Sequence, residues 1–256
     1  MEGSFEIFKN SIYRMTDIDL SCYKERQMKR RIDSYAENKG CGDYDGFIMF
    51  LRKDPDALAS FVDYITINVS EFFRNPEQWE YLEKEVIPKF TSKSKVRIWS
   101  AACSTGDEPY TLAMLFLKYL PRIRFSITAT DIDDLSLAAA REGIYSAKSI
   151  KGVPEEFMGC FTKTENDKYV IAPEIRKCVN FKKHNLLKDE FPRNMDLIVC
   201  RNVLIYFTEE KKEELFSQFH DSLGHGGVLF LGNTEQMMDY RKSGYLRLAS
   251  FFYEKM

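Results

Sequence analysis

Apolar residues in the first 75 positions recur at three- and four-residue spacing, in four blocks. Phe5, Phe8, Ile12 and Met15 form the first, and Met28, Ile32, Tyr35 and Ala36 the second. Phe47, Phe50 and Leu51 mark a third, and Leu58, Phe61, Val62 and Ile65 a fourth. Gly40, Gly42, Gly46 and Asp54-Pro55 punctuate between them, which predicts a small helical domain over 1–75. A linker helix over 76–94 carries Trp79, Leu82 and Val86 and is expected to stop at Pro88. From residue 95 the rhythm changes to short apolar runs: Val96 to Ala102, Phe125 to Thr130, Val179 to Phe181, Asp196 to Cys200 and Val228 to Leu231. These read as strands separated by helices, and Tyr245 to Leu248 with Phe251 to Tyr253 reads as a closing antiparallel pair. The predicted fold class is α/β, a doubly wound sheet over 95–256 behind an N-terminal helical domain. Residues 145–178 break the plan with Gly152, Pro154, Pro173 and the run Tyr169-Val170-Ile171, and are read as an inserted β-subdomain.

The first of these α/β units carries the chemistry. Its strand empties into Cys103-Ser104-Thr105-Gly106-Asp107-Glu108-Pro109, a helix-like stretch follows from Tyr110 to Tyr119, and the second strand ends on Asp131. Strand, small-residue turn, helix, strand and acid is the layout that holds a nucleoside-bearing cofactor, and the 25 residues from Gly106 to Asp131 suit one such unit. With one glycine, the turn offers a pyrophosphate few points of close backbone approach, and Asp107 and Glu108 would repel it. A phosphate-free adenosine with a cationic end fits better. S-adenosylmethionine has that chemistry, with ribose hydroxyls for Asp131 and an ammonium for a carboxylate such as Glu108. The same layout is also compatible with an ordinary βαβ unit that has a Ser/Thr-rich turn, so both readings stand on layout alone.

Charge and composition narrow the field. The 256 residues are 44% hydrophobic, enough for a sizeable core, and a net charge of −2 excludes polyanion binding through the charge of the whole molecule. Locally the balance differs: residues 21–34 hold five cations against two anions, either a solvated helix face or a docking patch. No apolar run approaches the ~18 residues that span a bilayer, and the N-terminus lacks a signal-peptide pattern, so a cytoplasmic protein is expected. Six scattered cysteines without a C-x-x-C predict reduced thiols and no metal site. His184, His220 and His225 are read as surface or structural residues. Asn202 follows a strand end, where ligands of α/β sheets gather. The absence of proline in Asn202-Val203-Leu204-Ile205-Tyr206 disfavours methylation of nucleic-acid amines.

Four phrases, in order, carry a resemblance over nearly the whole chain: Thr66-Ile67-Asn68-Val69-Ser70-Glu71-Phe72-Phe73-Arg74, Ser100 to Tyr110, Ala129-Thr130-Asp131-Ile132-Asp133 and Cys200-Arg201-Asn202-Val203-Leu204-Ile205-Tyr206-Phe207. They resemble the chemotaxis receptor methyltransferases, the CheR family. The resemblance implies a class I methyltransferase-like fold, with S-adenosyl-L-methionine as cofactor and S-adenosyl-L-homocysteine as product. It further implies methyl transfer to glutamate side chains of bacterial chemoreceptors. Carried over by position, Asn68, Ser70, Arg74, Glu108, Asp131, Asn185, Leu186, Asn202 and Val203 would contact the cofactor, and Arg74 and Tyr206 would lie nearest the reacting groups. The basic helix, with Lys24, Arg26, Lys29, Arg30 and Arg31, would dock on the cytoplasmic helical region of methyl-accepting receptors. No nucleic acid and no membrane insertion are implied, and a monomer is the default. The turn reads Gly-Asp-Glu-Pro where many members have Gly-Glu-Glu-Pro, which keeps the charge. Some members tether a receptor's C-terminal pentapeptide on the β-subdomain through a glycine-flanked loop. Thr162 to Lys168 has no glycine, so a pentapeptide-independent enzyme is expected.

Overall fold

The computed structural model describes residues 2–68 and 70–256. Met1 and Val69, the latter within the phrase Thr66 to Arg74, lie outside the described residues. The chain divides into two units, 1–68 with 206–214, and 69–205 with 215–256.

The first unit is helical: α1 (Glu2–Thr16), α2 (Glu25–Asn38), α3 (Tyr44–Lys53) and α4 (Pro55–Thr66). The apolar stripes face one another. Phe5, Phe8, Ile12, Met28, Ile32, Tyr35, Phe47, Leu51, Phe61 and Ile65 are buried, with Phe8 and Phe47 stacked at 5.4 Å and Phe61 edge-on to Phe47 at 5.2 Å. Local chemistry sets the helix starts. Asp54 accepts the N–H groups of Asp56 and Ala57 ahead of α4, with Pro55 in its first turn. Gly46 does not punctuate as expected. It sits inside the first turn of α3, because Asp43 caps that helix by accepting the Gly46 N–H at 2.8 Å. The returning segment 206–214 joins this unit through Lys24 N–H to the Tyr206 carbonyl (2.8 Å) and Thr208 N–H to the Cys22 carbonyl (3.0 Å).

The second unit opens with α5 (Pro76–Tyr81), which runs on through a π-helical turn (Leu82–Val86) and a 3-10 turn (Ile87–Phe90). The helical path therefore does not stop at Pro88. That proline lies in the first turn of a new 3-10 segment, where its missing N–H costs nothing. The remaining elements are β1 (Lys95–Ala101), α6 (Asp107–Tyr119), β2 (Arg124–Asp131), α7 (Asp134–Glu142), β3 (Ile144–Ser146), β4 (Phe161–Lys163), β5 (Lys168–Ile171), α8 (Pro173–Arg176), β6 (Val179–Lys183), β7 (Met195–Cys200), α9 (Glu209–Ser222, of which 209–214 belong to the first unit), β8 (Leu223–Leu231), β9 (Tyr245–Ala249) and β10 (Phe252–Lys255).

Seven strands form the main sheet in the order β6-β2-β1-β7-β8-β10-β9. The first five are parallel, and β10 and β9 close the edge antiparallel. Strand β7 is central and buried at all six positions, as a strand covered on both faces must be. Ile98, Leu197, Val199, Val228 and Phe230 pack with Leu112, Leu115, Phe116, Leu82 and Phe90 in one cluster. Trp99, on the opposite face, meets Phe191 at 4.8 Å and Phe219 at 5.6 Å. The expectation of helix-separated strands fails between β6 and β7, where 184–194 is loop. Strands β3, β5 and β4 form a separate antiparallel sheet, an α/β fold with a small β-subdomain. Among the described residues no helix is long and apolar enough to cross a membrane.

The order of strands positions a site. Successive crossovers leave β1 towards β2 on one side, and β7 lies on the other, so a crevice opens at the carboxyl ends of β1 and β7.

Candidate functional site

The turn after β1 is built to lie close against its own framework. Ala102, Ser104 and Gly106 have φ of 57°, 47° and 89°, left-handed values that strain Ala102 and Ser104 and that Gly106 adopts freely. Gly106 is required for two reasons. A side chain would be strained at its φ, and a Cβ would stand 2.9 Å from the Ala140 Cβ and 3.1 Å from the Tyr145 hydroxyl. That hydroxyl donates to the Thr105 carbonyl at 2.8 Å. The glycine thus serves close packing against α7. The helix α6 starts three residues earlier than Tyr110, so Asp107 and Glu108 are its first two residues and meet the positive end of its dipole.

Four buried or largely buried carboxyls surround this edge. Asp131, 6% exposed at the end of β2, accepts the N–H of Ser104 at 2.7 Å and of Asp133 at 3.0 Å. Burial raises its pKa, and those two N–H groups oppose the rise. Glu108 accepts from the Ser100 hydroxyl at 2.8 Å and lies 3.5 Å from the Arg201 guanidinium. Burial lifts its pKa too, opposed by Arg201. Asp107 accepts from the Thr105 hydroxyl at 2.6 Å, and burial again raises its pKa while Thr105 and Ser70 hold it down. Cys103 lies within the field of both Asp131 and Glu108, and its thiol is pushed well above the usual range, first by burial and then by those charges.

Glu235 is the fourth. It is 3% exposed and spends its carboxylate on backbone: Asn202 N–H at 2.7 Å, Gly232 N–H at 2.9 Å and Ile205 N–H at 3.3 Å. Burial raises its pKa against those bonds. The clamp holds Asn202 at a φ of 62° and fixes the path of Asn202 and Val203 beyond β7. On the other flank, the His184 N–H bonds the Asp131 carbonyl at 2.9 Å and draws Asn185 and Leu186, both 8% exposed, to the end of β2. Asn185 closes its own turn, its side-chain oxygen accepting the Leu187 N–H at 2.9 Å.

Arg74 is half-buried in a turn whose neighbours Phe73 and Asn75 have φ of 51° and 60°. Its carbonyl accepts from Trp79 Nε1 at 2.9 Å and from Arg201 Nη2 at 2.7 Å. The second unit therefore brings Ser70, Arg74, Glu108, Asp131, Asn185, Leu186, Asn202 and Val203 to one edge of the sheet or to segments bonded to it. Asn68 and Tyr206 belong to the first unit. The Asn68 side chain donates to Asp63 Oδ1 and Thr66 Oγ1, both at 3.0 Å. Tyr206 shares a pocket of ≈ 220 Å³ with Lys24, Gln27, Arg30, Arg31 and Ile67.

The cations of α2 and its N-cap residue Lys24 divide by environment. Arg26 and Arg30 are exposed. Lys24 is half-buried beside Glu209 at 3.8 Å. Lys29 pairs with Asp33 at 2.8 Å and lies over the Phe5 and Tyr44 rings. Arg31 donates to the Tyr64 carbonyl and stacks over that ring at 4.6 Å. Two of the five proposed docking cations are thus engaged in packing their own unit.

Sequence reasoning passed over Arg201 and Glu235 as site residues. A charge directly after a strand buried at every position was the available signal for Arg201, since such a charge needs partners. Nothing local distinguished Glu235.

Ser104 Oγ and Asp107 Oδ1 are buried without a hydrogen-bond partner in the β1–α6 turn. Together with carboxylates at the ends of β1 and β2, they suit a polar ligand with a cationic group and hydroxyls. Residues 68–249 match the family model described as CheR methyltransferase, SAM binding domain, and residues 3–66 match CheR methyltransferase, all-alpha domain. The chain is 42% identical to a chemotaxis protein methyltransferase of Listeria innocua, over all of this chain and 98% of that protein. A chemotaxis protein methyltransferase of Borreliella burgdorferi is 34% identical over 94% of this chain and 90% of its own. Chemotaxis protein methyltransferase 2 of Vibrio cholerae is 31% identical, over 97% and 88%. The matches span both units and take in every segment around the carboxyl edge of the sheet, and the chain accordingly belongs to the CheR methyltransferases, S-adenosylmethionine-binding enzymes of chemotaxis.

Proposed function

We propose that the enzyme methylates glutamate side chains of chemoreceptors, and that the residues assigned above by resemblance hold its cofactor. The observation that supports the acceptor class is that Tyr206 lines one pocket with Lys24, Arg30 and Arg31. Although Arg31 also bonds the Tyr64 carbonyl and Lys24 lies beside Glu209, a lining with three cationic residues suits an anionic acceptor such as a carboxylate and disfavours an amine. S-adenosylmethionine supplies a methyl group activated by its sulfonium. Asp131 and Glu108 provide the anions for ribose hydroxyls and the ammonium, with Asn185, Leu186, Asn202 and Val203 lining the same edge. A glutamate carboxylate, with an ordinary pKa of about 4.3, is already ionised at neutral pH and needs no base to remove a proton. The residues need only orient it and exclude water. Arg74 and Tyr206 fit orientation, a planar fork for a carboxylate and a hydroxyl donor. The exposed Arg26 and Arg30 extend the positive face towards an acidic partner helix.

Labelled S-adenosylmethionine incubated with chemoreceptor-bearing membranes tests this. Incorporation into receptor bands, released by mild alkali as methanol, is expected of a carboxyl ester. Label that survives alkali, or no transfer by enzyme that binds the cofactor, refutes the glutamate assignment.

A further inference from the structure

We propose that Arg201 is a positioning residue for methyl transfer: one buried guanidinium fixes both the Arg74 turn and the Glu108 carboxylate. This inference rests on the roles proposed for Arg74 and Glu108. Arg201 has a side chain only 2% exposed, at the end of β7. Its Nη2 reaches three oxygens on one short segment: the Arg74 carbonyl at 2.7 Å, Asn75 Oδ1 at 3.2 Å and Gln78 Oε1 at 2.9 Å. Its Nη1 faces Glu108 Oε2 at 3.5 Å. The plane is held between Trp79 at 5.1 Å and Phe230 at 4.8 Å, which removes its freedom to turn.

The geometry has a purpose that filling a core does not require. Residues 73 and 75 are both left-handed, a backbone state that persists only when surroundings impose it. The Arg201 bonds, with Trp79 Nε1 on the same carbonyl, impose it and set the direction from which the Arg74 side chain departs. The opposite edge of the same guanidinium, with Ser100, fixes Glu108. A group that would meet the acceptor and a group that would meet the cofactor's ammonium are thereby tied to one rigid plane. Lysine in this place would keep a charge beside Glu108 but could not span the three oxygens.

The test compares wild type, Arg201→Lys and Gln78→Met. It measures S-adenosylhomocysteine affinity by calorimetry, turnover at saturating cofactor on chemoreceptor membranes, and the melting temperature. Arg201→Lys is expected to lose turnover by about 10-fold or more and to weaken product binding by a much smaller factor, because the Arg74 turn is released while the charge beside Glu108 stays. Gln78→Met removes one of the three acceptors without touching Glu108. It is expected to lower turnover by about 2- to 10-fold with a smaller change in affinity, and it decides the matter if Arg201→Lys does not fold. Unchanged turnover in Gln78→Met, or affinity and turnover falling by the same factor in a folded Arg201→Lys, overturns the positioning role. Glu108→Gln separates the underlying reading: unweakened product binding there removes Glu108 from the site and the inference with it, whatever Arg201 does.

Discussion

At the scale of single residues, the carboxyls at this edge hold backbone groups and, in the proposed reading, would also hold the cofactor, so their substitution should show both effects. Asp131 is an expected ribose acceptor and also the acceptor for Ser104 and Asp133 N–H. Asp131→Ala should therefore weaken S-adenosylhomocysteine binding by about 1–3 kcal/mol and lower the melting temperature of the ligand-free protein, whereas Asp131→Asn should recover part of the stability. A calorimetric titration beside a melting curve checks it, and intact binding by the alanine variant would remove Asp131 from the site. Titration gives a second test. Asp107, Glu108, Asp131 and Glu235 all have folded-state pKa values raised by burial. The folded ligand-free protein therefore holds these protons more tightly than the unfolded chain, and their contribution to stability declines as pH rises from the ordinary carboxylate range through the raised values. Product binding should move oppositely if, as proposed, its ammonium is held by ionised Glu108. Affinity is expected to increase with pH across that interval and then level, and an affinity independent of pH in Glu108→Gln would tie the effect to that residue.

Among elements, the contact of the β1–α6 turn with α7 is the most demanding. Gly106→Ala should destabilise the protein by about 1–3 kcal/mol, because its Cβ meets Ala140 and its backbone stays left-handed. Ala140→Gly in the same chain relieves only the contact with the Ala140 Cβ and leaves the Tyr145 hydroxyl and the backbone strain, so partial recovery in a denaturant titration is expected, and full recovery would show that both are negligible. The turn was legible in sequence as a place of small residues for close backbone approach to a ligand, and the structure adds a second demand on Gly106, which makes room for a neighbouring helix. The helix α2 was likewise legible as amphipathic and basic. Its cations are separated only by tertiary contacts, so they should separate in experiment. Arg26→Glu with Arg30→Glu is expected to reduce receptor methylation at unchanged melting temperature. Reversing Lys29 and Arg31 should lower the melting temperature, since both hold Asp33, Tyr64 and the aromatic core of their unit. Equal effects of the two pairs would contradict this division.

For the whole molecule, a net charge of −2 means that any attraction to an acidic receptor comes from a patch against the overall charge. Screening should then act on encounter alone. The kcat/KM for receptor methylation is expected to fall between low and physiological salt, where the Debye length shortens to about 8 Å, while product affinity changes little. A rate insensitive to salt would exclude electrostatic docking through α2. The parallel order with β1 beside β7 matters at this scale too, because it gathers residues from four separate strand ends into one edge.

The sequence by itself determined the helical stripes of the first 66 residues, the break at Asp54-Pro55, the strand runs and the strand–turn–helix–strand–acid unit ending on Asp131. All of these depend on neighbours within one or two turns or on alternation along a strand, so periodicity and turn chemistry specify them. Its motif phrases were enough to point to the family. Tertiary structure decided which charged groups meet. Arg201 reaches Arg74 across 127 positions, Glu235 clamps Asn202 across 33, and Lys29 and Arg31 turn to their own unit while Arg26 and Arg30 face outward. A charge's role follows from how much water it has lost and which partners replace that water, and both are properties of a packed environment.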